Sequence, residues 1–419
     1  MQWRVMLVLG LTMGLLAACG EDDSGADGAG ADGESMRGDS LSAWVGEGPP
    51  CNYDLSVPYF NFQQTCSEIV FDPESAVDGP VFNLAEAVPA LSGIAFGPDG
   101  TLYLAYTAAG EIWAMRDENG DRFMDAPVRV AAGLWLPLRI TVYDGALYVS
   151  SAEGVWRLAD ADGDGLFAET ERALIIDDLP LETGFWPGGI GVGPDERLYL
   201  GLGCVTCDDD DPRRGTLLRY ALDGSDEQIV ATGLYHPADF DWHPETGDLW
   251  VVDAGPLPGG EGPLYAALNR VVPGADDVAD FGAPDCMPGG EPCAGVEEAA
   301  LTLPSSSNPA GVVFYDHTAF GAWPGDLLVA QAGSWDLSEP QGYALILLEF
   351  DGGALSGVQR TIAPTSVAPA PVESLAEYSL SGRGFFPEHP IDVAISPEGW
   401  IYVALQEGGV LRYRPVPEE

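Results

Sequence analysis

One phrase is written six times along this chain, and it leaves few architectures open. An apolar alternating strand, a Pro-Asp-Gly type turn and a second strand recur from Gly93, Arg139, Gly189, Asp239, Gly311 and Asp392. The first copy reads GIAFGPDGTLYLAY and the last DVAISPEGWIYVAL. The copies lie about 45 to 80 residues apart, each with period-two alternation and turn chemistry. A third strand follows in most of them: EIWAM from Glu111, GVWRL from Gly154, TLLRY from Thr216, ALILLEF from Ala344 and GVLRY from Gly409. Helical periodicity is nowhere sustained. Four short antiparallel strands per copy describe one blade, so the pattern predicts an all-β chain, a six-bladed β-propeller over residues 81–419. The last copy reaches the C-terminus with only three strands, and residues 81–88 are expected to supply its outer strand and close the ring.

The residues before the ring read differently. Arg4 precedes a short apolar run, Val5 to Leu16, too brief for a permanent span, and Leu16-Ala17-Ala18-Cys19 follows the bacterial lipobox pattern. Residues 1–18 are expected to be a lipoprotein signal peptide, with Cys19 the lipidated residue and membrane anchor. Gly20, rather than aspartate, points to the outer membrane of a two-membrane envelope. Residues 19–40 are acidic and Gly-rich, with too little apolar surface to order themselves, and form a tether. Residues 41–80 are an N-terminal extension carrying Cys51 and Cys66. With Cys204, Cys207, Cys286 and Cys293 these make an even set for an oxidising compartment; sequence neighbours suggest 51–66, 204–207 and 286–293, among fifteen connectivities.

Charge excludes partners. The net charge is −49, and all 17 basic residues are arginines. Such a surface repels nucleic acid and anionic lipid heads and attracts calcium. Asp160, Asp162 and Asp164, then Gly165, Leu166 and Glu171, fit the D-x-D-x-D-G-x5-E calcium spacing at every position. Short carboxylates on alternate residues converge on one ion, Leu166 offers a carbonyl and Glu171 two oxygens. Strands flank the loop, so it reads as a structural clamp rather than a helical switch. Asp117, Asn119, Asp121 and Asp125 repeat the arrangement one blade earlier, with Arg122 in the glycine position.

The segments before the inner strands should ring one mouth of the channel. They carry Trp135-Leu136-Pro137, Phe185-Trp186-Pro187, Tyr235-His236-Pro237, Ser307-Asn308-Pro309 and Glu388-His389-Pro390. Arg139 is expected to face Asp239 and Asp392 as a channel ion-pair network.

With these pieces and with RRGTLLRYALDGS (213–225), FDWHPETGDLW (240–250), LNRV (268–271), FGAPDC (281–286), AGSW (332–335), PQGY (340–343) and HPIDVAISPEG (389–399), the chain resembles the glucose/sorbosone dehydrogenase family. The resemblance implies a six-bladed propeller binding pyrroloquinoline quinone (PQQ) and calcium. It implies hydride transfer from a sugar to the quinone, a histidine base, cationic side chains on the quinone carboxylates, and a Gly-Pro pair giving carbonyls to calcium. Gly255-Pro256 fits that pair. Phe185 stands where relatives carry the histidine, Tyr235-His236 where an Arg-Asn pair is expected, and Glu388 where an arginine precedes His389-Pro390. The resemblance therefore leaves His389 and His236 as candidate bases, and Arg139, Trp186 and Tyr235 as candidate cofactor contacts. Three readings stay open: a PQQ-dependent sugar dehydrogenase; a non-catalytic propeller binding a carbohydrate or protein at its aromatic mouth; and a metal-dependent lactonase-like hydrolase enlisting Asp239, Asp392 and His389.

Overall fold

The computed structural model describes residues 65–71, 91–180, 187–204, 211–255, 265–272, 278–286, 293–321, 323–334, 342–363 and 388–415. Strand β1 (Thr65–Phe71) comes first. Blade one is β2 (Leu91–Phe96), β3 (Leu102–Tyr106), β4 (Glu111–Met115) and β5 (Val128–Ala132); blade two is β6 (Pro137–Tyr143), β7 (Ala146–Ser151), β8 (Gly154–Ala159) and β9 (Arg172–Ile176). Blade three is β10 (Pro187–Val192), β11 (Leu198–Leu202), β12 (Thr216–Tyr220) and β13 (Gln228–Thr232). Blade four is β14 (Pro237–Trp242), β15 (Leu249–Asp253), β16 (Tyr265–Val271) and β18 (Leu301–Pro304), while β17 (Ala279–Asp280) adds in parallel to the outer edge of blade three. Blade five is β19 (Pro309–Tyr315), β20 (Asp326–Gln331), β21 (Ala344–Asp351) and β22 (Ala354–Ala363). Blade six is β23 (Pro390–Ile395), β24 (Ile401–Leu405), β25 (Val410–Pro415) and β1. Each inner strand touches the next around the ring, and β23 returns to β2, so the propeller closes.

The expected closing strand is corrected by this pairing. Thr65–Phe71 lies antiparallel to β25, Cys66 opposite Arg414 and Ile69 opposite Leu411, whereas residues 81–88 lie outside the described residues. The ring's first strand is thus inside the stretch assigned to an extension. TCSEIVF carries the β-branched and aromatic residues that suit a strand, but it is short and far in sequence from its partner.

Local chemistry explains the blades. Second strands such as LYLGL and IYVAL are buried at every residue because neighbouring blades cover both faces, so they run apolar without alternation. Leu102, Leu198, Leu249 and Ile401 are fully buried. Each such side chain contributes about 1.5–3 kcal/mol relative to exposure. Five inner strands begin at a proline, which has no N–H to lose at a strand start. All six carry a register shift just after that first residue, for example between Pro237 and Asp239. This repeated bulge twists the start of each inner strand and aims the next residue at the neighbouring blade.

Candidate functional site

In an antiparallel meander, the connections from fourth to first strand and from second to third strand open on the same face. That face is the mouth, and its floor is built by the residue following each bulge. Three blades place glycine there and three a charged side chain, in strict alternation: Gly93, Arg139, Gly189, Asp239, Gly311, Asp392. The glycines are space-makers. A Cβ on Gly189 would lie 2.7 Å from the Asp239 Cα, and one on Gly311 2.6 Å from the Asp392 Cα.

Arg139 reaches from blade two across to blades five and six. Its Nη2 donates to the Ala310 carbonyl at 2.7 Å and the Ile391 carbonyl at 3.1 Å, and its Nη1 lies 3.1 Å from Asp392 Oδ2. The aspartates cap N–H groups on the channel-facing edges of neighbouring inner strands. Asp392 Oδ2 accepts from Ile94 N at 2.8 Å, Asp239 Oδ2 from Val312 N at 2.8 Å, and Asp241 Oδ2 from Phe314 N at 2.7 Å. Burial raises the Asp239 carboxyl, with Arg139 opposing and Asp392 adding to the rise. Asp392 is raised by burial against the pull of Arg139, and Asp241 reaches about 6 for the same first reason. Of the expected network, the ion pair between Arg139 and Asp392 is present, while Asp239 senses the Arg139 charge with no ion pair between the two among the described residues.

Above the floor, Asp253 organises the blade-four lip. Its carboxylate accepts from Tyr235 N at 2.8 Å, His236 N at 2.7 Å and Gly255 N at 3.0 Å. Gly255 has φ +79°, and a Cβ there would meet the Tyr265 carbonyl at 2.6 Å; Pro256 lies outside the described residues. Burial, helped by the Arg139 charge, pulls the His236 imidazole down to about 4, so it is neutral at working pH. Tyr235 is not an open platform: it is buried, and its hydroxyl donates to the Pro284 carbonyl at 3.2 Å. Trp135, in contrast, is 45% exposed. Its backbone is held because Ala152 N donates to the carbonyls of Trp135 and Leu136, at 3.1 and 3.3 Å. Leu136, Asn308 and Tyr343 all take positive φ at this mouth, a conformation unfavourable for leucine and tyrosine. Phe185 and Trp186 lie outside the described residues.

His389 is buried at the blade-six lip. Its Nδ1 lies 2.8 Å from the Ala332 carbonyl and its ring packs on Tyr343 with centroids 4.9 Å apart. Glu407, which sequence reasoning passed over, accepts from His389 N through Oε2 at 3.0 Å and places Oε1 3.9 Å from Nε2. Burial lowers the His389 imidazole and pushes Glu407 up to about 7, Glu388 adding to the rise. A signal for Glu407 did exist: like Glu153 it stands two residues past a second strand, Asp253 ends one, and all three accept N–H groups from the segment leading into their blade.

The opposite face carries the acidic loops. Asp160, Asp162 and Asp164 each offer an oxygen within 4.8 Å of the others. Glu171 stands outside that group; its oxygens accept from Ala161 N and Ala168 N at 2.8 and 2.9 Å, as those of Asp160 accept from Gly163 N and Gly165 N at 2.7 and 2.9 Å. Leu166 N donates to Asp164 Oδ1 at 2.8 Å, tightening the turn. The Asp117 loop copies the fold of its neighbour: Gly120 N and Arg122 N donate to Asp117, Asp121 N to Asn119, and Glu118 N to Asp125. Its aspartates do not converge as a metal group, and Arg122 takes φ +70° where Gly165 takes +80°. Arg412 Nη1 donates to the Arg122 carbonyl at 2.7 Å, bringing a fixed cation to that loop. Among the described residues the Asp160 trio is the only such group, so Asp239, Asp392 and His389 are not assembled as a metal centre. A groove of about 590 Å³ lined by Asp241, Trp242, Phe314 and Asp316 opens beside the blade-four turn on this face. Cys286 and Cys293 form the expected disulfide; Cys204 is disulfide-bonded, while Cys207, Cys51 and the Cys66 side chain lie outside the described residues.

Comparison with known proteins agrees with this architecture. Residues 190–341 match the glucose/sorbosone dehydrogenase family model, and residues 376–413 match the N-terminal model of strictosidine synthase-like proteins. An uncharacterised protein of Borreliella burgdorferi is 23% identical over 243 residues, 53% of this chain; the match spans 63% of that relative's length. In fold, the Trichoderma reesei carbohydrate-active enzyme of family AA12 superposes with a TM-score of 0.67 at 14% identity, over 88% of this chain and 100% of that one. The holo pyranose dehydrogenase PQQ domain of Coprinopsis cinerea gives 0.63 at 13% identity, covering 85% and 98%. The apo soluble aldose sugar dehydrogenase of Escherichia coli gives 0.57 at 15% identity, covering 84% and 99%. Matched in sequence over residues 190–341 and in fold around the whole ring, the chain resembles the glucose/sorbosone dehydrogenases as a divergent relative.

Proposed function

We propose that this chain is a lipid-anchored envelope protein that binds an uncharged saccharide at the propeller mouth, in a site related to that of sugar dehydrogenases but without their quinone. The observation that carries this reading is the charge of the mouth. PQQ bears three carboxylates, and burying them requires cationic partners. Arg139, the arginine on the described inner strands, is committed to Ala310, Ile391 and Asp392, and Arg213 on the β11–β12 connection is paired with Asp178, Asp211 and Glu227, while Glu153, Asp253 and Glu407 line three of the lips. The chain has no lysine to replace it. These residues do not fit a tricarboxylate.

A neutral polyol suits the same surface. Carboxylates accept its hydroxyls, and Trp135, held flat-backed on a strained loop, offers a stacking face. Purified residues 41–419 should bind a neutral oligosaccharide with quenching of tryptophan emission, and Trp135→Ala should weaken binding at least tenfold. Saccharide binding unchanged in that variant refutes the assignment of the mouth.

A second reading, sugar oxidation, is favoured by one observation: His389 has its Nδ1 fixed on a carbonyl, which leaves Nε2 as a base. Calcium, PQQ, an aldose and a redox dye test it, and dye reduction lost in His389→Ala would replace the first reading. Asp160, Asp162 and Asp164 are the residues that would hold calcium, with oxygen ligands of the right hardness, as a clamp on the β8–β9 connection. Anchoring through Cys19, in the outer membrane, puts the ring in the envelope where such saccharides are met.

A further inference from the structure

We propose that Glu407 is the proton outlet of His389, a relay residue linking a buried base to solvent. The inference goes beyond saccharide binding and needs no bound quinone. Three features carry it. The Ala332 carbonyl can only accept, so Nδ1 holds the imidazole hydrogen and Nε2 presents its lone pair. Nε2 faces Glu407 Oε1 at 3.9 Å, too long for a direct hydrogen bond and short enough for one hydroxyl or water to bridge. Exposure rises along this path, from 8% for the His389 side chain to 40% for that of Glu407.

The carboxylate is held for this task. Its Oε2 takes the His389 N–H at 3.0 Å, and Gln406 N donates back to the His389 carbonyl at 2.9 Å, so two hydrogen bonds tie the segments together. Among the described residues, the titratable groups facing the pair include Glu388 on its own segment and the Tyr343 phenol of blade five. Burial, with Glu388 beside it, sets Glu407 to titrate near neutrality, where an outlet must both take and release a proton. A hydroxyl or water bound at Nε2 gives its proton to the nitrogen, breaking O–H and forming N–H, and its oxygen takes a proton back from solvent, so the net change is proton exchange with water. The proton then passes to Glu407, forming the carboxylic acid, and leaves to water with both groups restored. No oxidant is consumed.

The chain has four histidines, so selective ¹⁵N-histidine labelling gives a readable NMR spectrum, with His389 assigned by His389→Gln. In the full wild-type chain, His389 should show the Nδ1-protonated neutral form, and its Nε2 shift should carry a second step near neutral pH as Glu407 titrates. Glu407→Gln keeps an oxygen for the His389 N–H and should abolish that step, while Glu407→Asp should move it to lower pH. A titration identical in wild type and Glu407→Gln, or a neutral imidazole protonated at Nε2, would overturn the proposal. A relay also makes exchange of the imidazole proton with water slower in Glu407→Gln, whereas a purely structural Glu407 would lower the melting temperature in both variants and leave that exchange rate unchanged. Because no saccharide is present, the outcome is independent of whether the mouth binds one.

Discussion

Replacing Arg139 by methionine should destabilise the whole ring, and the loss should depend on pH. The guanidinium is largely buried, with 13% of its side chain and 9% of the Asp392 side chain exposed. Removing it orphans Asp392 and leaves the Ala310 and Ile391 carbonyls short of a donor. Breaking a buried pair by deleting one partner costs about 3–5 kcal/mol, because the remaining charge is uncompensated. The sign of the pH effect follows from the aspartates. Asp239 and Asp392 are already raised by burial, and Arg139 is what restrains them. A carboxyl whose folded pKa lies above its unfolded value loses stability for the fold as pH rises through that interval, and regains it as pH falls. Without Arg139 both pKa values climb further, so the deficit should be largest at pH 8 and shrink towards pH 5. Thermal melts followed by circular dichroism across that range measure this. Arg139→Met with Asp392→Asn should recover much of the loss, since the buried charge is gone. Arg129→Met, which breaks an ion pair with 56% of the arginine side chain exposed, is the control and should cost under about 1 kcal/mol. A single-variant loss as small as the control, or one unchanged between pH 5 and pH 8, would refute the reasoning.

Two further perturbations address other parts of the ring. Gly311→Ala puts a Cβ 2.6 Å from the Asp392 Cα, so backbone must shift and a loss above about 1–3 kcal/mol is expected; Gly120→Ala, with nothing within 4 Å, should cost only about 1 kcal/mol from its positive φ, and equal melting temperatures would contradict the packing argument. Calcium should raise the melting temperature, chelator should reverse it, and Asp162→Asn with Asp164→Asn should abolish the response while Asp117→Asn leaves it; calorimetry showing equal calcium uptake in all of these would show that the trio is not the site.

The six-bladed ring was legible because each second strand is an unbroken apolar run set against a turn, a pattern repeated often enough to align. The outer strands escaped it. VRVAA in blade one and ALSGVQRTIA in blade five are partly exposed and carry little periodic signal, and β1 finds its partner only at the far end of the chain. Aligning the repeats also exposed Arg139, Asp239 and Asp392, since each occupies the same position after a bulge. Side-chain direction did not follow from alignment. Tyr235 was expected at an open mouth, yet its hydroxyl turns to the Pro284 carbonyl; Glu171 matched a ligand spacing, yet it stands outside the group that Asp160, Asp162 and Asp164 form. Glu407 meets His389 only because a hairpin folds back over 18 residues, a proximity no local pattern contains.

The alternation of Gly93, Arg139, Gly189, Asp239, Gly311 and Asp392 has a consequence for how such a ring can change in size. Each small residue makes room for the large one beside it, so the repeating unit of the inner wall is two blades, not one. A closed ring with this rule must hold an even number of blades. Adding or deleting a single blade would set two large residues, or two small ones, side by side at the seam, with a clash in the first case and a gap in the second. Moving the chain's starting point around the closed ring leaves every neighbour in the wall unchanged, whereas growth or loss by pairs is the only change in blade number that leaves it unfrustrated.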